Sequence, residues 1–332
     1  MPRLLVVEGY GVRIGVRRGC VVVKSGSGAK VVPVSEVDRV IIVSGGVSIT
    51  SAALRALARS GIDLLVLDPR GVPMVSLCPP WITRTVDTRR AQYLAYASSE
   101  LALSYAKSFA KAKILNQGGF LKYLSKTLGE KWLEEEGLRV EEKALDVERV
   151  SGSIEEARKS IMGIEGVAAR IYWGAIACLI PSELGFGGRD QDGCDPVNAS
   201  LNYLYGVLYG ECFKRLAMAG LDPFAGFLHV DRSGKPVLTF DFIEMFRVSA
   251  VDSLLLNMVR KGFRPELENG LLTRSTRAKL VEELFKWLER RCRERGGEAK
   301  KLADHIKSHA LKLARALRSF SHYNGFVEEW WK

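Results

Sequence analysis

The chain has 332 residues, 47% hydrophobic and 26% charged, with a net charge of +11. This is globular composition in a chain long enough for two domains, so disordered and collagen-like classes are excluded. The longest uncharged apolar stretches, around Val40–Val43 and Ala175–Ile180, are too short to span a bilayer, and the run after Met1-Pro2-Arg3 is too short for a signal-peptide core. A soluble, cytoplasmic protein without membrane contact is the expectation. The six cysteines form no CxxC pair, so neither a zinc knuckle nor a disulfide framework is expected.

Residues 1–80 read as β. Leu4–Val7 is a short apolar run, and Val12, Ile14 and Val16 alternate as on a half-buried strand. Gly9-Tyr10-Gly11 and Arg17-Arg18-Gly19 supply turns. Val21–Val23, Val31–Val34 and Val40–Val43 continue the pattern. Thr50 caps a short helix to about Ser60, with Gly61 as its stop. Ile62–Leu67 is a strand, Asp68-Pro69-Arg70-Gly71 a turn, and Val72–Leu77 its hairpin partner. Cys78-Pro79-Pro80 breaks the pattern and marks a domain boundary.

Beyond it the spacing turns helical. Residues 86–128 carry Ala, Leu, Lys and Tyr at helical intervals, and Lys131–Val150 reads as a charged surface helix. Ser153 caps a helix that runs until Pro181. Ser182–Cys194 is a glycine-rich loop, and Asp195-Pro196 starts a helix to Gly220. Asp222-Pro223 opens a short segment ending near His229. Helices follow at 241–261, about 276–295 and 298–320. The fold class is α+β: a β-rich N-terminal domain, 1–80, followed by an all-α domain, 81–332. Residues 274–318 hold 14 Lys/Arg against 6 Asp/Glu. A basic helical stretch of this kind points to nucleic acid.

Few side chains suggest chemistry. Asp241 and Glu244 stand at i and i+3, sharing a helix face within an apolar stretch. Arg247 could partner them, and simple capping of a helix start is the plainer reading. His229 ends an apolar run, where a histidine is more often packed than ligating. Glu165 lies on an apolar helix, with Arg170 at a poor pairing distance. One histidine plus two carboxylates suits Mg2+ or Mn2+ in phosphodiester chemistry; spacing leaves open whether they meet. Rival sites fare worse. His305 and His309 lack the HExxH pattern and sit among lysines, as on a solvated, DNA-facing helix. Asp190, Asp192 and Asp195 miss calcium-loop spacing, and Gly26–Lys30 misses the phosphate-loop spacing.

The chain resembles the CRISPR-associated spacer-acquisition integrase/endonuclease family, the universal adaptation nuclease. The resemblance rests on Ile49–Leu54 with Gly61-Ile62-Asp63, on Arg89-Arg90-Ala91-Gln92, and on Lys113-Ile114-Leu115-Asn116-Gln117. It continues through Gly163-Ile164-Glu165 with Arg170 and Tyr172, Asp195–Ala199, Leu201–Tyr205 and Ala219–Pro223. It ends with Gly226-Phe227-Leu228-His229 and Asp241–Arg247. The resemblance implies a metal-dependent DNA integrase and endonuclease for antiviral defense, inserting foreign fragments into a CRISPR array by attack of a DNA 3′-hydroxyl. It implies Glu165, His229 and Glu244 as catalytic ligands of Mg2+ or Mn2+, with Asp241, Asn198 and Arg170 as auxiliaries. It also implies a homodimer through the β-rich domain and a small second adaptation protein bridging two dimers. Two other readings stay open, a structure-selective junction nuclease of repair and a non-catalytic nucleic-acid-binding scaffold. Trp330 and Trp331 fit either partner contact or end packing.

Overall fold

A computed structural model describes residues 3–77 and 86–330, so the Cys78-Pro79-Pro80 boundary and Trp331 lie outside the described residues. The chain divides into two compact units. The first takes Met1–Ile82, Gln191–Gly210 and Arg264–Lys286. The second takes Thr83–Asp190, Glu211–Phe263 and Trp287–Lys332.

The first unit opens with strands β1 (Arg3–Val7), β2 (Val12–Arg17), β3 (Cys20–Ser25), β4 (Gly28–Pro33), β5 (Val37–Ile42) and β6 (Val47–Ile49). Helix α1 (Ser51–Arg59) and strands β7 (Asp63–Leu67) and β8 (Pro73–Ser76) follow. They form two four-stranded sheets, ordered β1-β5-β7-β8 and β4-β3-β2-β6. β1, β5 and β7 run parallel, while β8 closes back as the antiparallel hairpin partner of β7. Val12 and Ile14 are buried while Arg13 between them is exposed, as the strand period of two requires. Leu5, Ile14, Val21, Val32, Val40 and Leu64, drawn from both sheets, share one core with Leu57 of α1. Thr50 caps α1 by accepting a bond from the Ala53 amide at 3.2 Å.

Helices carry the rest: α2 (Val86–Ala97), α3 (Ser99–Leu128), α4 (Lys131–Arg149), α5 (Ile154–Ala177) and α6 (Pro196–Met218). Then come α7 (Val237–Glu244), α8 (Ser253–Arg260), α9 (Arg274–Leu288) and α10 (Leu302–Arg318). Short strands accompany them. β9 (Leu267–Glu268) pairs with β10 (Leu271–Leu272). β11 (Arg291–Glu294) lies between β12 (Ala299–Lys301) and β13 (Glu328–Glu329). The α+β class, β-rich first and helical after, is borne out. No helix among the described residues is long and apolar enough to cross a membrane.

In the second unit α3 and α4 pack through facing glycines. A Cβ at Gly118 would lie 2.6 Å from the Gly137 carbonyl oxygen, and one at Gly137 would lie 2.8 Å from that of Gly118. α4 is therefore more than a charged surface helix: it buries Leu133, Val140, Ala144 and Val147. The helix expected over 241–261 is interrupted by a π-helical turn, Val248–Asp252. That turn places the Ser249 carbonyl where the Trp287 indole (2.9 Å) and Arg290 guanidinium (3.0 Å) both donate to it.

Two expectations for the basic stretch are corrected. The helices expected at about 276–295 and 298–320 are shorter at their facing ends, because Arg291–Glu294 and Ala299–Lys301 pair as the β11–β12 hairpin around Gly296 and Gly297. His305 and His309 do not face solvent: both are buried, at 1% and 0% exposure. His305 bonds the Cys292 carbonyl, and His309 bonds Tyr323 and Glu294. The exposed face of α10 carries Lys307, Lys312, Arg315 and Arg318 instead. Trp330 packs on Phe120 and Tyr123, with ring centroids 4.7 and 5.7 Å away.

Candidate active site

Three helices of the second unit bring charge together. Asn116 on α3 donates to the carbonyls of Met245 (2.9 Å) and Phe326 (2.8 Å), and accepts from the Glu328 amide at 2.8 Å. A fully satisfied buried amide of this kind fixes α3 against the end of α7. Tyr172 on α5 donates to Asp252 at 3.0 Å, tying α5 to the π-helical turn. Lys113, one turn before Asn116, then meets Glu165 of α5 and Glu244 of α7.

The Lys113 ammonium pairs with Glu165 and lies 2.7 Å from Glu244 Oε2. Arg247 holds the other oxygen, Glu244 Oε1, at 3.0 Å. The three side chains are 15%, 11% and 4% exposed, so each charge needs a partner at hand. Burial alone would raise the Glu244 pKa, but Arg247, Lys113 and His229 outweigh it and hold the carboxyl at about 2. Burial likewise opposes the charge on Lys113, and the Glu165 and Glu244 carboxylates overcome it, so its pKa is raised.

His229 sits on a loop held from three sides. Gln92 donates to the Asp222 and Ala225 carbonyls at 2.9 and 2.7 Å and accepts from the Asp222 amide at 2.8 Å. Arg158 donates to the Phe227 carbonyl at 2.8 Å. Asp241 accepts from the amides of Phe227, Leu228 and His229 at 2.6, 2.9 and 3.0 Å. Its Oδ1 also lies 2.7 Å from His229 Nδ1. This close approach needs Gly226, where a Cβ would lie 2.6 Å from a Val237 methyl and 2.9 Å from Asp241 Oδ2. Burial pulls the His229 pKa down, but the Asp241 bond and the charges of Asp241, Glu244 and Glu165 raise it above the ordinary value. With Nδ1 engaged, Nε2 is the ring atom left for a ligand.

Glu165 and Glu244 are thus brought to one cation, with His229 inside their field. Arg247 partners Glu244, as the helix spacing allowed. Asp241 is saturated by backbone amides and the imidazole, which makes it an anchor for the His229 loop. Arg170 is exposed and stands about 140° around α5 from Glu165. Asn198 belongs to the first unit, where it donates to Asp195 at 2.7 Å. Asp195 in turn caps α6 through the Val197 and Asn198 amides. Sequence reasoning missed Lys113 as a member of the site. Its signal was its place between Ala112 and Ile114, at the head of the Lys113–Gln117 stretch that carries part of the resemblance.

Two carboxylates and an imidazole are a hard oxygen-and-nitrogen donor set, chemically suited to Mg2+ or Mn2+. Among the described residues, however, no three of His, Cys, Asp and Glu converge as they stand on a point that could hold a metal ion. The Lys113 ammonium lies between the two glutamates instead. The donor chemistry suits a divalent cation, and the cation that the two glutamates share here is the Lys113 ammonium.

The family model described as "CRISPR associated protein Cas1" matches residues 5–286. The chain belongs to the Cas1 family. It is 40% identical to the CRISPR-associated endonuclease Cas1 of Hyperthermus butylicus, over 98% of this chain and 99% of that protein. It is 36% identical to a CRISPR-associated endonuclease Cas1 of Saccharolobus solfataricus, over 98% of this chain and 97% of that one. Among solved structures it is similar to a casposase bound to integration product, with TM-score 0.86 and 25% identity. That match covers 100% of this chain and 95% of the casposase chain. Most residues of the site just described (Lys113, Glu165, His229, Asp241 and Glu244) fall inside the stretch that the Cas1 model matches.

Proposed function

We propose that this Cas1-family protein is a metal-dependent DNA integrase with endonuclease capability, which inserts foreign fragments into a CRISPR array. The observation that carries this reading is the convergence of Glu165 and Glu244, from separate helices, on one cation beside an imidazole oriented by Asp241. The relatives' names, Cas1 endonucleases and a casposase with its integration product, support a nuclease or integrase.

Glu165, His229 and Glu244 would hold Mg2+ or Mn2+, which supplies Lewis-acid stabilisation of the phosphate and the leaving oxygen. Asp241 keeps the imidazole in one tautomer and orientation. Asn198 and Arg170 are proposed as auxiliaries outside the ligand set. In integration the 3′-hydroxyl oxygen of the incoming strand forms the new P–O bond. The target P–O bond breaks, and the released 3′-oxygen takes up a proton. In hydrolysis water replaces the hydroxyl. Residues 1–80 would form the β-rich dimerisation domain and 81–332 the helical catalytic domain. The working assembly would be a homodimer, two copies of which are bridged by a small second adaptation protein on double-stranded or branched DNA.

The test is covalent joining of a short duplex with free 3′-hydroxyls to a supercoiled repeat-bearing plasmid, with the bridging protein present. Mn2+, Mg2+ and EDTA are compared. Joining should require metal and fall at least about 100-fold in Glu165→Ala and His229→Ala, with DNA binding retained. Metal-dependent cutting without joining would point to a junction nuclease. Binding without chemistry in any metal would point to a scaffold.

A further inference from the structure

Lys113 occupies the position between two buried acids that belong to different helices. Its ammonium touches both Glu165 and Glu244. Without it, Glu244 keeps Arg247 on Oε1, while Glu165 loses the ion pair that partners it in this site. Two carboxylates brought this close repel unless a cation stands between them. The lysine therefore makes the arrangement possible in the absence of any metal. It also stands in the way: a divalent cation bound to both glutamates would meet the ammonium at contact range. Lysine is suited to leaving, because its point charge rides on a flexible four-carbon stem. Arg247, on the far oxygen of Glu244, need not move.

We infer that Lys113 is a tethered counter-ion, which holds Glu165 and Glu244 together in the metal-free protein and is displaced from them when a divalent cation binds. The inference rests on the reading of Glu165, His229 and Glu244 as the metal ligands. Metal binding is then an exchange, in which the gain from the incoming ion is reduced by the loss of two ion pairs. The metal-free site stays ordered, and it responds to divalent cations only above a threshold that Lys113 sets.

The experiment titrates Mn2+ into the full-length, DNA-free protein by calorimetry and follows its thermal unfolding with and without Mn2+. Wild type, Lys113→Met, Lys113→Arg and Glu165→Gln are compared. Lys113→Met should bind Mn2+ roughly tenfold or more tightly, because the competing charge is gone. Its unfolding temperature should drop without metal and gain more from Mn2+ than wild type does. Lys113→Arg, which keeps the charge, should show no such gain in Mn2+ affinity. If Lys113→Met folds only when Mn2+ is present, that too is the expected result. If it folds in neither condition, or binds Mn2+ no more tightly than wild type while Glu165→Gln binds it more weakly, the counter-ion role is overturned and the ligand reading survives. Unchanged Mn2+ binding in Glu165→Gln would remove the ligand reading, and this inference with it.

Discussion

Asp241 is the most heavily committed side chain of the site. It is fully buried, with three backbone amides and an imidazole on one carboxylate. Asn at this position offers one acceptor oxygen in place of two and turns an N–H2 toward donors. Asp241→Asn should therefore cost about 2–4 kcal/mol of stability in urea unfolding. A loss under about 0.5 kcal/mol would mean that the amides find other partners. Two carboxylates at i and i+3 on an apolar helix were visible in the sequence. Arg247 as a partner of Glu244 was visible too, at i+3. That Asp241 faces inward to the His229 loop and Glu244 also toward Lys113 was not, because those partners are brought by long-range packing. His229 was ambiguous for the same reason, since nothing local distinguishes a packed histidine from one held by Asp241.

Helix starts follow from local chemistry, and the sequence located those marked by a capping side chain at Thr50, Ser153 and Asp195. The break at Ser98, which caps α3 by accepting from the Leu101 amide, went unread within 86–128. The two strands of the β11–β12 hairpin were read as the facing ends of two helices because Arg-rich stretches suit a helix; the break between those helices fell on the Gly296-Gly297 pair, which is the hairpin turn. This hairpin carries the strongest acid sensitivity in its neighbourhood. Burial opposes the charge of Glu294, but bonds from His309 and Lys312 lower its pKa from 4.5 to about 2. Burial lowers the His309 pKa below 6.5, partly offset by Glu294. Both groups have depressed folded-state values, so both contribute fully above their unfolded values. That stability is lost as pH falls, first below 6.5 for His309, then from 4.5 toward about 2 for Glu294. Unfolding midpoints measured from pH 7 downward should decline through both windows, and Glu294→Gln should flatten the lower one. Parallel profiles for the two proteins would refute the assignment.

For the whole molecule, charge makes the clearest statement. The net charge of +11 favours DNA without reading its sequence. The basic stretch is less available than its count suggests, because Lys279, Lys286, Lys301 and Lys312 are paired with neighbouring acids. Affinity for a short duplex should fall with salt as if on the order of five to eight counterions were released, fewer than all those cations would give. Fluorescence anisotropy between low and physiological salt measures the slope, and a flat response would argue against electrostatic binding. Glu165→Ala should leave that slope unchanged.

The sequence by itself determined what is periodic or local. The β-rich beginning, the helical remainder, the caps and the family resemblance through Glu165, His229 and Glu244 all lie in short stretches. Their physical basis is alternation at two residues, recurrence near 3.6, and side chains that reach their own backbone. The tertiary structure decided which faces meet. Lys113 reaches Glu165 across 52 residues of sequence, and no pattern in either helix names the other. A buried charge takes its meaning from the opposite charge folding brings to it, and that choice is made by packing of α3, α5 and α7 together.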